Sequence, residues 1–413
     1  MRASDNIDWG VCKVKVVIQP GRLLGKIKIP PSKSFAHRAL ICGALSGGES
    51  IIYNCGNSED ISATKNCLSA LGRIFEAKGD ALTVKAGGQK ENVLDCGESG
   101  STLRFMLPVA LALGGEYLFM GRGRLMSRPL EDYFRIFKRQ GIYYEMDKER
   151  GMLKVSGRLL PDKFSLSGDI SSQYLTGLLL ALPLLDGDSE IVLSSPLQSA
   201  GYVDMTRDIQ GKFGVVWGKE QMSYFIRGSQ AYKAAALECE GDYSQAAFWL
   251  AADRLGCGIE VIGLNPGTFQ PDRAIADLIQ AMPGECDVSQ YPDLVPILAV
   301  LCALSPGRRI LYNAARLRLK ESDRLHAVSV LISGLGGNIT EKEDALIIEG
   351  KEFLDGGVCD SFGDHRIAMS AAIAAVKSRG PITVLGAQSV NKSYPEFWEH
   401  YIKLGGRIEK YDG

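Results

Sequence analysis

The sequence predicts an α/β protein turned inside out: buried helices surrounded by sheets, arranged as two similar domains of three repeats each. Three observations predict it. One pattern recurs six times, in which an extended segment leads into a turn of small, polar or proline residues and the turn opens an apolar helix. That helix is apolar on most faces, as in LTGLLLALPLL, and a helix hydrophobic all round must be buried. The chain has 413 residues, too many for one ordinary core, so two domains are expected.

The six openings read PPSKSFAHRAL from Pro30, CGESGSTLRFM from Cys96, SGDISSQYLTGLL from Ser167, EGDYSQAAFWLAA from Glu240, SQYPDLVPILAV from Ser289 and SFGDHRIAMSAA from Ser361. They lie roughly 50 to 75 residues apart, which is long for a solenoid repeat. After each helix comes a short strand: SIIYN, EYLFMG, EIVLSS, IEVIGL, RILYNA and ITVLGA. An amphipathic helix closing on Gly follows, as in LEDYFRIFKRQG and RLHAVSVLISGLGG, and terminal Gly is the usual helix stop. Alternating strands such as IYYEMDKERGMLKVSG finish the unit, which is therefore βαβαββ. The fourth copy shows no clear closing hairpin.

Composition narrows the function. Hydrophobic residues make up 46% and charged residues 23%, with a net charge of −1. A general nucleic-acid or polybasic membrane binder would carry a cationic surplus, so neither partner is expected. The N-terminal MRASDNIDWG has no apolar stretch behind a basic start, so no secretory signal is read there. The longest apolar runs, near 174–185, 294–304 and 367–376, are about half of the ~20 residues a membrane span needs. The ten cysteines form no CxxC pair, which removes the usual zinc and redox signatures. Unpaired thiols in this number suit a reducing cytoplasm. None of the four histidines, His37, His326, His365 and His400, pairs at metal-ligand spacing, so no metal is expected. There is no GxxxxGK[ST] loop and no GxGxxG before a helix, so no nucleotide cofactor is expected either.

The turns carry the chemistry. The free N–H groups of a helix N-terminus, with roughly half a positive charge, bind anions. For the third and fourth turns taken alone, simple capping is the favoured reading, since Ser and Asp are ordinary caps. The other turns hold cations. Lys33, Ser34 and Arg38 lie at the first, and Gly100 and Arg104 at the second, with Arg124 and Arg128 in the loop GRGRLMSRPL downstream. Ser171, Ser172 and Gln173 form the third, with Ser199 downstream. Asp293 lies at the fifth, followed by Lys320, Glu321 and Arg324. Asp364, His365 and Arg366 lie at the sixth, followed by Lys392. Arg38, Arg104 and Arg366 stand in the first turns of buried helices, where a cation opposes the helix dipole. The same conflict in three of six repeats points to a cleft for polyanionic small molecules.

The segments PSKSFAHRALICGAL, GESGSTLRF, SRPLEDY, GDISSQYLTGLL, YPDLVPILAV, RLKESDRL and GDHRIAMS, in this order, resemble the 5-enolpyruvylshikimate-3-phosphate synthases of the enolpyruvyl transferase family. The resemblance runs from about Gly21 to the end. It implies a two-domain inside-out α/β barrel joined by two hinge crossings, with residues 31–239 holding repeats one to three and 1–30 plus 240–413 holding repeats four to six. The active site would lie in the cleft between them. The related UDP-N-acetylglucosamine enolpyruvyl transferases have a catalytic Cys in the loop that reads GRGRLMSRPL here. The absent Cys, the SKS opening and the GDHR motif all favour the shikimate type.

By that resemblance, Lys33, Ser34, Arg38, Ser171, Ser172, Gln173, Ser199, Asp293 and Lys320 would hold shikimate 3-phosphate. Lys33, Gly100, Arg128, Gln173, Arg324, Arg366 and Lys392 would hold phosphoenolpyruvate. Asp293 would take the proton of the attacking hydroxyl, and Glu321 or Lys392 would protonate the methylene carbon, with Lys33 also in the catalytic set. The family is typically monomeric. Cations facing each other across an empty cleft repel, so the cleft should open without ligand and close on anions. Two departures stand out. Glu98 replaces the family's usual neutral amide and is expected to face away from phosphoenolpyruvate, towards a neighbouring Arg, while Arg316 replaces a neutral amide and is left out of the site. A non-catalytic anion-binding relative would keep the clamps but lose Asp293 or Glu321, and both are present. A nucleic-acid-processing enzyme on related repeats would show a basic surface.

Overall fold

The six apolar helices are where the pattern puts them, and their burial is nearly complete. The computed structural model describes residues 14–412; Cys12, the rest of the first 13 residues and Gly413 lie outside them. The inner helices are Lys33–Leu45, Gly100–Leu113, Ser172–Ala181, Tyr243–Arg254, Val295–Ala303 and His365–Ala374. Val295–Ala303 and His365–Ala374 are buried at every position. Five of the six are capped by the side chain of the turn: Ser32, Ser99, Ser171, Asp242 and Asp364. Each cap oxygen accepts from an otherwise unsatisfied backbone N–H. The fifth opens through a short 3-10 turn, Pro292–Leu294, instead.

The second helix of each unit is amphipathic and outside. Glu131–Gln140 shows the local logic. Its first turn carries Glu131 and Asp132 and its last turn Lys138 and Arg139, matching the helix dipole, and Gly141 ends it at φ 68°.

Two separate hydrophobic cores result. One is built from residues between Phe35 and Cys239, the other from Val16–Ile29 together with Tyr243–Leu404. In the first, Gly177 lets the third inner helix press onto the second, since a Cβ there would meet the Arg104 carbonyl at 2.2 Å. Pro108, inside the second helix, has no N–H to give that carbonyl. The hydroxyl of Tyr133 donates to it instead, at 2.7 Å, which fixes the backbone of Arg104.

The sheets show how the repeats are stitched together. Repeats two, three and five each form a four-stranded sheet from their own strands. Repeats one and four exchange their leading strands. Leu24–Lys28, just before the first inner helix, pairs in parallel with Gly258–Ile262 of the fourth repeat. Ala236–Glu238, just before the fourth inner helix, pairs in parallel with Ser50–Tyr53 of the first. The two crossing segments therefore run side by side, bridged at Pro31 and Gly241, with Ser32 N donating to Glu240 O at 2.7 Å and Asp242 N to Pro30 O at 3.0 Å. The sixth repeat borrows as well: Lys15–Ile18 sits between Ile382–Leu385 and Ile408–Tyr411, where the other repeats place a hairpin strand.

Candidate active site

The helix N-termini of both cores face one cavity of about 930 Å³, its solvent mouth included. Of the residues picked out by sequence, Lys33, Ser34, Arg38, Gly100, Arg104, Arg128, Ser171, Ser172, Gln173, Ser199, Asp293, Lys320, Glu321 and Arg366 line it.

The wall from the first core is cationic and hydroxylic. Arg38 is buried and spends its guanidinium on neutral oxygens: Thr206 Oγ1 at 2.8 Å, the Ser34 carbonyl at 2.6 Å and the Tyr202 carbonyl at 3.1 Å. Burial pushes its pKa down to about 10. Arg104 donates to Gln173 Oε1 at 2.9 Å and to the Pro129 carbonyl at 3.0 Å, and Gln173 in turn donates to Ser101 Oγ at 3.0 Å. Arg128 crosses the second helix N-terminus so closely that a Cβ at Gly100 would lie 2.5 Å from its Nη1. Desolvation, then the nearby Arg104, lowers the Arg128 pKa. Its Nε and that of Arg104 have no hydrogen-bond partner. Lys33 pairs with Asp60 at 2.6 Å. His37 is held by Thr64 at 2.7 Å, and burial, Lys33 and Arg38 keep it neutral.

The wall from the second core is an ion-pair network centred on Asp293. One carboxylate oxygen takes Arg324 at 2.7 Å and Lys320 at 3.4 Å, and the other takes Arg366 at 3.1 Å. Burial pushes Asp293 up, but Arg366, Lys320 and Arg324 outweigh it and hold the carboxyl well below its usual range. Glu321 follows the same pattern: Arg324, Arg128, Lys320 and His365 overcome its desolvation. Lys320 is pushed down to about 8 by burial, only partly offset by Asp293. His365 is buried, and burial, Arg366 and Lys33 hold it neutral.

Two of the residues given substrate or catalytic roles by the resemblance, Arg324 and Lys392, do not line the cavity. Arg324 is fully buried behind Asp293, with Asp364 on its Nε at 2.8 Å and Glu321 on the guanidinium as well. Lys392 stands at the rim, its ammonium 2.5 Å from Glu98 and 2.8 Å from the Gly363 carbonyl. Glu98 therefore faces Lys392, not the arginine expected from sequence, because the 3-10 segment Ala387–Lys392 brings the lysine across the cleft. Arg124 is exposed and outside the lining.

The cavity also recruits Asp60, Ser101, Phe105, Tyr202 and Arg316. Arg316 donates to Ser199 Oγ and, at 2.7 Å, to the Ser289 carbonyl, so it joins the two walls. Burial pushes it down to about 10. Its place in RLRLKESDRL was visible in sequence, and its departure from the family pattern hid it. Asp60 gave no signal, since an acid in a first helical turn is ordinary dipole matching.

The sequence profile of the EPSP synthase family (3-phosphoshikimate 1-carboxyvinyltransferase) matches residues 17–285 and 269–401. The chain belongs to the EPSP synthase family. A 3-phosphoshikimate 1-carboxyvinyltransferase of Clostridium kluyveri is 46% identical over 420 residues, covering 96% of this chain and 98% of the relative. One of Clostridioides difficile is 44% identical over 429 residues, covering 96% and 98%. Among solved structures, an EPSP synthase of Acinetobacter baumannii superposes with a TM-score of 0.80 at 24% identity, covering 97% of this chain and 100% of that one. An enolpyruvyl transferase of Streptomyces tendae superposes with a TM-score of 0.78 at 17% identity, covering 98% and 100%. These two establish the fold, and the sequence-level matches establish EPSP synthase membership. The inside-out α/β architecture read from the repeats is borne out.

Proposed function

We propose that this chain transfers the enolpyruvyl group of phosphoenolpyruvate to the 5-hydroxyl of shikimate 3-phosphate, releasing phosphate by addition and elimination. The observation that carries this reading is the pairing of two unlike walls in a chain of this family. Arg38 and Arg104, which rest on neutral oxygens on one side, face an ionised carboxylate, Asp293, on the other.

The substrates each carry a phosphate and a carboxylate, together about five to six negative charges at roughly 1.5 to 2 per phosphate. Lys33, Ser34, Arg38, Ser171, Ser172, Gln173, Ser199 and Lys320 hold shikimate 3-phosphate. Arg128, Arg366, Lys392, Lys33, Gln173 and the N–H of Gly100 hold phosphoenolpyruvate. Planar guanidinium groups suit both anions. Arg324, with its donors already on three carboxylates, contributes by holding Asp293 and Glu321 in place.

Asp293 receives the hydroxyl proton. Its pKa is low because Arg366, Lys320 and Arg324 surround it. When Arg366 and Lys320 turn to the incoming anions, that depression relaxes and Asp293 becomes a stronger base. Binding both substrates thus arms the base. Glu321 or Lys392 delivers the proton to the methylene carbon, and the tetrahedral adduct expels phosphate. Positioning two substrates can supply about 7–11 kcal/mol, against the 10²–10⁴-fold typical of acid–base catalysis.

We also assign residues 31–239 and 1–30 plus 240–413 to two domains, supported by the two separate cores. One chain supplies both walls, which supports a monomer. The nine cysteines of the described residues are free and buried, which suits a reducing cytoplasm, and no helix of the described residues is long and apolar enough to cross a membrane. The cleft opens when its cations lack anions; solution scattering that shows equal compactness with and without both substrates would rule that out. The reaction itself is tested by coupled phosphate release. Phosphate should appear only when both substrates are present, and release with either alone, or none with both, overturns the assignment.

A further inference from the structure

Glu98 is a departure the reaction does not require, yet the fold makes a place for it. Its carboxylate lies against Gly123, where a Cβ would sit 2.8 Å from Glu98 Oε2. Gly123 has φ +55°, a conformation that favours glycine. The two loops are tied together at this point by Arg122 N donating to Gly97 O at 2.7 Å. From the opposite wall Lys392 reaches over and places its ammonium 2.5 Å from Glu98 Oε2. The same ammonium donates to the Gly363 carbonyl at 2.8 Å.

An ammonium has three donors. Two are taken by Gly363 and Glu98, so one remains for a ligand. The pair is sheltered on the lysine side, where the side chain is 13% exposed, and more open on the glutamate side, at 38%. Glu59 adds to the negative surroundings: burial raises its pKa, Lys392 lowers it, and Asp60 and Glu98 raise it again.

We propose that Glu98 is a specificity-determining residue that acts as a built-in competitor for Lys392, weakening the hold of this corner on the smaller anionic substrate. The inference rests on the reading of the reaction above for the identity of that substrate, phosphoenolpyruvate. It concerns one subsite, next to Gly100, and not the wall that holds the larger substrate through Arg38 and Lys320. An incoming phosphate or carboxylate must displace Glu98 from Lys392 or share the ammonium with it. A neutral amide at the same position would keep the contact and remove the competing charge.

The experiment compares the wild type with Glu98→Gln, which is nearly isosteric in the pocket beside Gly123, and with Glu98→Asn as a second neutral variant. KM for phosphoenolpyruvate, KM for shikimate 3-phosphate and the inhibition constant of inorganic phosphate are measured for each. The neutral variants should lower KM for phosphoenolpyruvate and the phosphate inhibition constant about three- to tenfold, the scale of one half-exposed charge. KM for shikimate 3-phosphate should stay within about twofold, because its cations are held by other partners: Lys33 by Asp60, Arg38 by Thr206 and Lys320 by Asp293. Titration with inorganic phosphate in a Lys392→Ala background should show no gain from Glu98→Gln. An unchanged or raised KM for phosphoenolpyruvate in both neutral variants overturns the proposal. So does an equal gain for both substrates, or a gain that persists without Lys392. The phosphate titration does not need turnover. A wild type that fails to use the two substrates would therefore sink the reaction assignment while still reading Glu98 against Lys392.

Discussion

The two walls of the cleft are built from the same repeat and end in opposite electrostatic states. In the first core the helix caps are Ser32, Ser99 and Ser171, all neutral. In the second, the two side-chain caps are Asp242 and Asp364, and Asp293 stands at the remaining turn. The arginines follow suit. Arg38 and Arg104 rest on hydroxyl, amide and carbonyl oxygens, whereas Arg324 and Arg366 rest on carboxylates. Arg38 and Arg104 of the first wall are left without a carboxylate partner among the described residues and ready for ligand, whereas Lys33 is paired with Asp60. Carboxylates pair with Arg324 and Arg366 inside the second wall, and these arginines with Lys320 keep Asp293 ionised. A single scaffold thus yields one surface for binding and one for proton transfer.

Removing the base should produce the largest break in this division. Asp293→Asn is expected to lower turnover by at least about 10³-fold, within the range of general base loss. Binding should survive or tighten, since Arg366 and Lys320 lose their internal carboxylate. Phosphate-release kinetics and equilibrium binding of both substrates check the two halves of that statement. Near-intact turnover would show that Asp293 is not the base.

Paired substitutions test the comparison directly. Arg324→Ala leaves Asp364, Glu321 and Asp293 short of a buried partner and should cost about 3–5 kcal/mol of stability. Arg128→Ala removes a desolvated cation close to Arg104, so its melting temperature should hold or rise. The same variant should raise KM for phosphoenolpyruvate about 10- to 100-fold, the worth of a charge-assisted bond. Equal thermal losses in the two variants would erase the distinction between the walls.

That distinction was only half legible in the sequence. The six openings, the inner helices and several stops such as Gly141 follow from local patterns. The strand exchange between Leu24–Lys28 and Ala236–Glu238 does not, because each segment pairs with a repeat some 200 residues away and its own composition is unaffected. Lys15–Ile18, inserted into the sixth sheet, is hidden for the same reason. At the site, Arg128 and Arg324 look alike as arginines beside a turn. What separates them is a set of carboxylates on neighbouring loops and repeats, a fact of tertiary packing. Glu98 stood out as unusual, but its partner Lys392 is 294 residues away.

The pH response should separate the walls as well. Lys320 is held at about 8 by burial. It loses its charge above that pH, so kcat/KM for shikimate 3-phosphate should fall up to about tenfold per unit above pH 8. The stability effect has the opposite sign. Between about 8 and the unfolded lysine value near 10.4 the unfolded chain binds more protons, so this group makes stability rise with pH. Lys320→Arg should flatten the kinetic limb, because Arg stays charged throughout. A limb of equal size in that variant would assign the titration elsewhere.

The smallest expected effect concerns the seam between the walls. Asp272, in the 3-10 turn Pro271–Ala274, accepts from the hydroxyl of Tyr202 across the cleft at 3.1 Å, and its other oxygen has no partner. Burial and the nearby Asp293 push its pKa up to about 7, with Arg366 pulling it down and Asp242 pushing it up. A group raised in the folded state stabilises fully below its unfolded value, near 3.9, and loses that contribution as pH climbs through about 7. The wild type should therefore lose stability between pH 4 and 7 from this group. Asp272→Asn removes the titration, so urea unfolding at pH 5 and pH 8 should differ less in the variant than in the wild type. Tyr202→Phe should leave most of the slope in place, because the desolvation that raises Asp272 remains. A slope that vanishes in Tyr202→Phe and persists in Asp272→Asn would mean that the phenol contact, and not the buried carboxyl, sets the pH response of the seam.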